Sequence, residues 1–215
     1  DETGDDQSRF VEVMAKLSIE GEWGHRATAS HTTAMHNYNN DYAFKLMGIL
    51  QRAKLNMITN PFDNSVLQNR TDGYPRRRGH TRVDELDACG INVSIGHDSI
   101  MDPWYPMGKG SMLQGANLLM HTAHMSGYDQ IFRLFDMITT NSAITMNVQD
   151  QYGIEPGKPA NLVILDAADA FDAIRLMSEA LCVIRMGKVL CTTQPAVRTL
   201  NFEGKTREID FKLKK

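Results

Sequence analysis

The sequence predicts an α/β fold built on a parallel sheet. Three short apolar segments, at 26–30, 56–59 and 91–96, are predicted strands, and helical patterns at 42–54 and 83–88 separate them. Strands that alternate with helices in this way are typical of βα units. Polar residues follow each strand, which is where a βα barrel places its catalytic groups.

Helices and loops account for the rest of the first 150 residues. An apolar pattern from 10 to 17 predicts a first helix, with Asp5 or Asp6 as its N-cap. After the second strand, the turn Asn60-Pro61 is expected to open a long loop that runs to about Gly79. Further helices are predicted towards the end of this region, at 111–126, 128–139 and 142–147.

The composition changes near residue 151. An apolar strand is predicted at 161–165, and the segment 180–193 predicts a hairpin that turns at Gly187-Lys188. The tail from 151 to 215 is therefore expected to belong to a small β-rich subdomain.

Bulk composition indicates a globular chain and argues against two classes of partner. Of the 215 residues, 42% are hydrophobic, and the net charge is -3. This balance gives no electrostatic footprint for nucleic acid or for an anionic membrane. The basic cluster Arg76-Arg77-Arg78 is short and is expected in a solvated or ion-paired loop.

The three cysteines, Cys89, Cys182 and Cys191, form no CxxC pair, so neither a zinc ribbon nor a disulfide framework is predicted. A reducing, cytoplasmic setting fits best. No run approaches 18 apolar residues, and the acidic first residues lack the pattern of a signal peptide. We therefore expect a cytoplasmic protein that does not span a membrane.

Two strand ends carry side chains suited to catalysis. Asp98 follows the strand at 91–96, and a buried carboxylate there needs a partner, a metal or a proton. The alternative is an aspartate that caps the next turn. His31 follows the strand at 26–30, where a hydrogen-bonded structural histidine is the alternative to a functional one. The spacing to His36 does not direct both rings towards one metal.

Four segments, taken together and in order, are far more specific than any single residue: Ala29-Ser30-His31-Thr32-Thr33-Ala34-Met35-His36, Tyr74-Pro75-Arg76-Arg77-Arg78-Gly79, Gly96-His97-Asp98 and Asp102-Pro103-Trp104-Tyr105-Pro106. They resemble the second half of bacterial cytosine deaminase, a member of the amidohydrolase superfamily. The resemblance covers nearly the whole chain.

The resemblance implies an α/β fold: the C-terminal part of a (β/α)8 TIM-like barrel of the amidohydrolase type, plus part of a small β-sandwich subdomain. Residues 1–150 would run from the end of barrel strand 5 through strand 8 and the following helices, and 151–215 would form the C-terminal portion of the sandwich. The family holds one divalent metal, Fe(II) or Zn(II), whose histidine ligands are expected outside this chain. The N-terminal half of the same enzyme and further copies in a homo-oligomer are therefore expected partners.

The resemblance also implies a role for five residues. Glu2, which on its own is an unremarkable acid near the start of the chain, matches the acid that shuttles a proton to the ring nitrogen and the leaving amine. His31 matches a histidine beside the metal-bound water, and Asp98 matches the aspartate that binds the metal and takes a proton from that water. Trp104, otherwise a packing or stacking aromatic, matches a pocket residue against the base. Ser99 stands where relatives of the enteric type usually carry a second aspartate.

The implied function is metal-dependent hydrolytic deamination of a nucleobase-like heterocycle, with release of ammonia. Because Ser99 removes a charge near the base, isocytosine, isoguanine or another amino-substituted heterocycle is expected as an alternative substrate to cytosine. The alternatives are another cyclic amide or amidine amidohydrolase, and a non-catalytic fragment or scaffold.

Overall fold

A computed structural model describes residues 3–212, so the predicted acid Glu2 lies outside the described residues. The described chain forms two compact units that divide between Asp150 and Gln151.

The first unit is built on a parallel sheet of three strands, β1 (Thr28–Ser30), β2 (Asn56–Thr59) and β3 (Val93–Ile95). The order in the sheet is β1-β2-β3, and both neighbouring pairs are parallel. All three residues of β3 are buried, as in a strand that is covered on both faces. The predicted α/β class is therefore confirmed.

Seven helices belong to the first unit among the described residues: α1 (Phe10–Glu20), α2 (Asn40–Ala53), α3 (Pro61–Leu67), α4 (Val83–Ala88), α5 (Met112–Thr122), α6 (Tyr128–Met137) and α7 (Thr140–Thr145). Helix α2 shows why they form. Its buried residues Ala43, Leu46, Met47 and Leu50 recur three and four positions apart and face the core. Its N-cap Asn39 accepts a hydrogen bond from the Tyr42 N–H at 2.9 Å, which satisfies one of the free donors of the first turn.

Two sequence-based expectations for this unit were wrong. Helix α1 begins at Phe10 and its N-cap is Arg9, not Asp5 or Asp6, because the backbone around Asp5 forms a turn that is closed by the Gln7 N–H on the Asp5 carboxylate. The predicted loop after β2 begins instead with α3. Pro61 occupies the first helical turn, where its missing N–H costs nothing, and the first four residues of α3 are buried.

The second unit contains an antiparallel sheet, β4 (Leu162–Leu165), β5 (Ala180–Arg185) and β6 (Lys188–Thr192), and a separate hairpin, β7 (Arg198–Phe202) and β8 (Lys205–Ile209). The predicted β-rich character is correct, although a short helix, α8 (Ala170–Leu176), was not foreseen. The β5–β6 turn lies at Met186-Gly187, one residue earlier than predicted, because both residues adopt positive φ (49° and 76°), as a two-residue hairpin turn requires. Within residues 3–212, no helix has the length and apolar character needed to cross a membrane.

Candidate active site

The candidate site lies where β1 and β3 end, on either side of the central strand β2. The strands are parallel, so their carboxyl ends meet at one edge of the sheet. His31 is the first residue after β1, and its N–H donates to the Ile58 carbonyl at 2.9 Å. Asp98 is the third residue after β3. Both adopt φ of +64°, a conformation that costs energy in non-glycine residues and clusters at functional sites.

The structure brings His31 and Asp98 into direct contact. The Nε2 atom of His31 lies 3.2 Å from Oδ2 of Asp98, and the two side chains are 16% and 38% exposed. The pair therefore spans the width of β2 and remains open to solvent on the carboxylate side. The contact joins two of the residues predicted from sequence.

Asn64 of α3 holds the other side of the His31 ring. Its Nδ2 lies 3.0 Å from Nδ1 of His31 and 3.4 Å from Oγ1 of Thr33. Its Oδ1 accepts the backbone N–H of Asn60 at 3.2 Å. Asn64 is fully buried, so its orientation is fixed by these contacts rather than by water.

The backbone of Ser99 is held from two directions. Its N–H donates to Oδ2 of Asp63 at 3.1 Å, and its carbonyl accepts from Nδ1 of His97 at 3.0 Å. Asp63 and His97 are 2% and 7% exposed, and the His97 ring packs on Phe62 with ring centres 4.5 Å apart. Within the described residues, Oδ1 of Asp63 and Nε2 of His97 have no hydrogen-bond partner. The loop that carries Asp98 and Ser99 therefore rests on buried polar side chains.

Trp104 is placed differently from the other predicted residues. Its side chain is 66% exposed, and its backbone N–H donates to Oδ1 of Asp102 at 2.9 Å. The Asp102 carboxylate also accepts the Tyr105 N–H at 3.0 Å, which gives the loop a defined turn. The structure therefore presents the Trp104 ring at the surface of the described chain.

His36 lies apart from the His31–Asp98 pair, as its spacing allowed. It lines a surface groove with Arg78 and His80. Burial, followed by the nearby positive charge of Arg78, lowers the pKa of His36. Burial also lowers the pKa of His80 to about 4, since this ring is 3% exposed. These rings favour the neutral form at pH 7.

Asp98 and His31 each carry an atom of a type that binds divalent metals. A carboxylate oxygen and an imidazole nitrogen are both suitable ligands for zinc or iron. No group of three or more His, Cys, Asp or Glu side chains within 3–212 is arranged to hold a metal ion. The Asp98 carboxylate is 38% exposed and lies 3.2 Å from Nε2 of His31.

Reasoning from sequence missed Asp63 and Asn64. Both follow β2, the strand between the two that carry His31 and Asp98. The signal was present, because Pro61 is typical of the first turn of a helix, and the polar pair Asp63-Asn64 follows after Phe62. The turn Asn60-Pro61 instead predicts a loop, in which these two polar residues have no assigned role.

Comparison with known proteins identifies the family. Residues 1–191 match the Amidohydrolase family. The chain belongs to this family. The chain also superposes on 5-methylcytosine deaminase from Klebsiella pneumoniae, solved with 5-fluorocytosine, at a TM-score of 0.89 and 45% identity. That superposition covers 91% of this chain and 48% of the Klebsiella chain. The predicted resemblance to cytosine deaminase is thereby confirmed, as is the prediction that the chain is part of an α/β domain of the amidohydrolase type.

Two further relatives extend the amidohydrolase comparison. Pterin deaminase from Rhizobium rhizogenes is 26% identical over 94% of this chain and 46% of its own length. N-isopropylammelide isopropyl amidohydrolase from a Pseudomonas species is 34% identical over 50% of this chain and 27% of its own length. The chain spans at most about half the length of the relatives it matches.

Proposed function

We propose that this amidohydrolase chain forms part of a metal-dependent deaminase that acts on an amino-substituted pyrimidine, with a 5-substituted cytosine as the preferred substrate. The His31–Asp98 contact of 3.2 Å at the ends of β1 and β3 carries the proposal. The 45% identity to a 5-methylcytosine deaminase supports the substrate class.

The reaction replaces an exocyclic amine by a carbonyl. Water oxygen bonds to the ring carbon, the bond from that carbon to the amine breaks, and ammonia leaves with one proton more than the amine carried. In this proposal Asp98 accepts a proton from the attacking water, and His31 orients that water by hydrogen bonding. The 3.2 Å contact between the two side chains supports their acting at one site. A divalent metal, Fe(II) or Zn(II), held by Asp98 and by histidines outside this chain, would supply the Lewis acidity that generates a nucleophile from water at neutral pH.

We assign Glu2 to the second proton transfer. Ammonia leaves readily only when the ring nitrogen and the departing amine are protonated, so the reaction needs a second acid. Glu2 matches that acid in the family resemblance, and it lies outside the described residues.

Ser99 and Trp104 are the proposed substrate contacts. A serine side chain is shorter than an aspartate and carries no charge, so it leaves room for an apolar substituent on the pyrimidine ring. A 5-methyl group would fill that room, whereas a second carboxylate would crowd it. Trp104 is 66% exposed in the described chain, which leaves its ring free to stack on a planar base.

We further infer that the N-terminal half of the enzyme completes the site and that the complete enzyme is a cytoplasmic homo-oligomer. The half-length match to the relatives supports the first point. The free thiols of Cys89, Cys182 and Cys191 support a reducing compartment.

The test is ammonia release by the complete enzyme from cytosine, 5-methylcytosine, isocytosine and isoguanine, with bound metal quantified. Asp98→Asn should reduce turnover by about 10²- to 10⁴-fold, the usual contribution of a general acid or base. Asp129→Asn, which neutralises an exposed carboxylate in the first turn of α6, is the matched control and should retain activity.

Other results of this assay would favour other functions for the chain. Release of an alkylamine from an added N-alkylated aminopyrimidine, with no ammonia from the four bases, would favour the N-alkyl reaction for which the Pseudomonas relative is named. Full metal occupancy with no turnover on the panel would leave an amidohydrolase of another substrate. No metal and no turnover would support a non-catalytic scaffold.

A further inference from the structure

The orientation of the Asn64 side chain is determined by the backbone. The Asn60 N–H can only donate, so the Asn64 atom 3.2 Å from it must be the carbonyl oxygen Oδ1. The amide nitrogen Nδ2 then faces Nδ1 of His31 at 3.0 Å. A contact of Nδ2 with Oγ1 of Thr33 at 3.4 Å agrees with this orientation, since a hydroxyl oxygen can accept.

The amide orientation in turn determines which nitrogen of His31 carries the proton. Because Nδ2 of Asn64 is a donor, Nδ1 of His31 must accept, and a neutral ring must hold its proton on Nε2. The Nε2 atom is the one that lies 3.2 Å from Oδ2 of Asp98. Asn64 therefore donates a hydrogen bond to Nδ1 of His31, and Nε2–H of His31 donates one to the Asp98 carboxylate.

We propose that Asn64 is a positioning residue that holds His31 as the Nε2–H tautomer. This inference rests on the proposed function for its catalytic meaning. In this tautomer His31 presents a hydrogen-bond donor to the reaction centre and cannot take a proton through Nε2, so Asp98 is left as the proton acceptor. Asn64 thereby assigns different roles to two side chains that could each act as a base.

The decisive substitution is Asn64→Asp. An aspartate keeps the Oδ1 acceptor for the Asn60 N–H, so α3 retains its first turn. It replaces the Nδ2 donor by a carboxylate oxygen, which can only accept when ionised, so Nδ1 of His31 then carries a proton. Asn39→Asp is the matched control, because Asn39 also caps a helix through its Oδ1 atom, on the exposed start of α2.

The direct readout is long-range ¹H–¹⁵N correlation NMR of the complete protein with ¹⁵N-labelled histidine, with the His31 signals identified by their loss in His31→Gln. We expect an unprotonated Nδ1 and a protonated Nε2 in the wild type and in Asn39→Asp, and a protonated Nδ1 in Asn64→Asp. A protonated Nδ1 in the neutral wild-type ring, or an unchanged Nδ1 in Asn64→Asp, would overturn the proposal.

Kinetics supply the second readout. Asn64→Asp should lower kcat by about 10²- to 10⁴-fold, in the range seen when a catalytic histidine is held in the wrong tautomer. KM should stay within about threefold, because the interaction is made to the reaction centre and not to the bound base. A raised KM with unchanged kcat would refute the role in catalysis. If no substrate is turned over, the NMR result still decides the tautomer, so failure of the proposed function is distinguishable from failure of this inference.

Discussion

The buried histidine His80 is predicted to make the stability of the protein depend on pH, by an amount that follows from its pKa. The ring is 3% exposed, and burial, together with the nearby charge on His36 and Arg78, lowers its pKa from 6.5 to about 4. Ser65 donates its hydroxyl to the Pro61 carbonyl at 2.6 Å, so Nε2 of His80 donates to Ser65 Oγ at 3.0 Å. The Nδ1 atom has no partner within the described residues, so a second ring proton would be buried without an acceptor.

Because burial lowers the pKa of His80, the protein becomes less stable as the pH falls. Between pH 6.5 and about 4 the His80 imidazole binds a proton in the unfolded chain but not in the folded chain. The stabilisation from neutral His80 is therefore fully present above pH 6.5 and is lost as the pH falls through this window. Each pH unit within it costs about 1.4 kcal/mol. Lowering the pH from 7 to 5 should therefore remove about 2 kcal/mol of unfolding free energy through His80 alone.

The assay is urea unfolding of the wild type and of His80→Gln at pH 7 and pH 5. The variant should lose about 2 kcal/mol less than the wild type between the two pH values, because glutamine does not titrate. His36, whose pKa is also lowered, should leave some dependence in the variant. His121→Gln removes an exposed imidazole from α5 and should keep the wild-type dependence. The same loss in His80→Gln as in the wild type would refute this account of the buried ring.

Two further predictions concern the loop after β3. Asp63→Ala leaves the Ser99 N–H without its acceptor and should lower kcat/KM by at least about tenfold, the equivalent of one hydrogen bond. Asp63→Asn keeps an acceptor oxygen and should retain most activity. Equal losses of kcat/KM for the two variants in steady-state assays would exclude a role for the acceptor. Ser99→Asp should change the ratio of kcat/KM values in favour of cytosine over 5-methylcytosine by about 10- to 200-fold, the usual discrimination for one methyl-sized group. Competition assays with both bases measure this ratio. An unchanged ratio would show that Ser99 lies away from the 5-position.

The sequence predicted the fold wherever local pattern and tertiary packing agree. The strand β2 and helix α4 were predicted with the bounds that the structure shows, since each has apolar residues flanked by clear breaking signals. Helix α1 was extended too far towards the N-terminus because acidic residues near a helix start are compatible with a cap, and only the three-dimensional structure shows which turn they form. Helix α8 was missed because its buried Asp172, paired with Arg175 at 2.7 Å, does not look like a core residue in sequence.

The site was predictable to the extent that it depends on single residues at strand ends. The positions of His31 and Asp98 just after predicted strands indicate a shared site, because parallel strands bring such residues together. Their partners could not be found in the same way. Asn64 and Asp63 act through hydrogen bonds that span more than 30 residues of sequence, and no local pattern encodes a contact of that length.

The position of α3 explains how one short helix can organise both halves of the site. It follows β2, the central strand, so it lies between the loops that carry His31 and Ser99. Adjacent residues of a helix point about 100° apart, which allows Asp63 to bind the backbone after β3 while Asn64 binds the ring after β1. The first turn of α3 therefore couples the two strand ends, and the distance between His31 and Asp98 depends on residues that would touch neither water nor substrate.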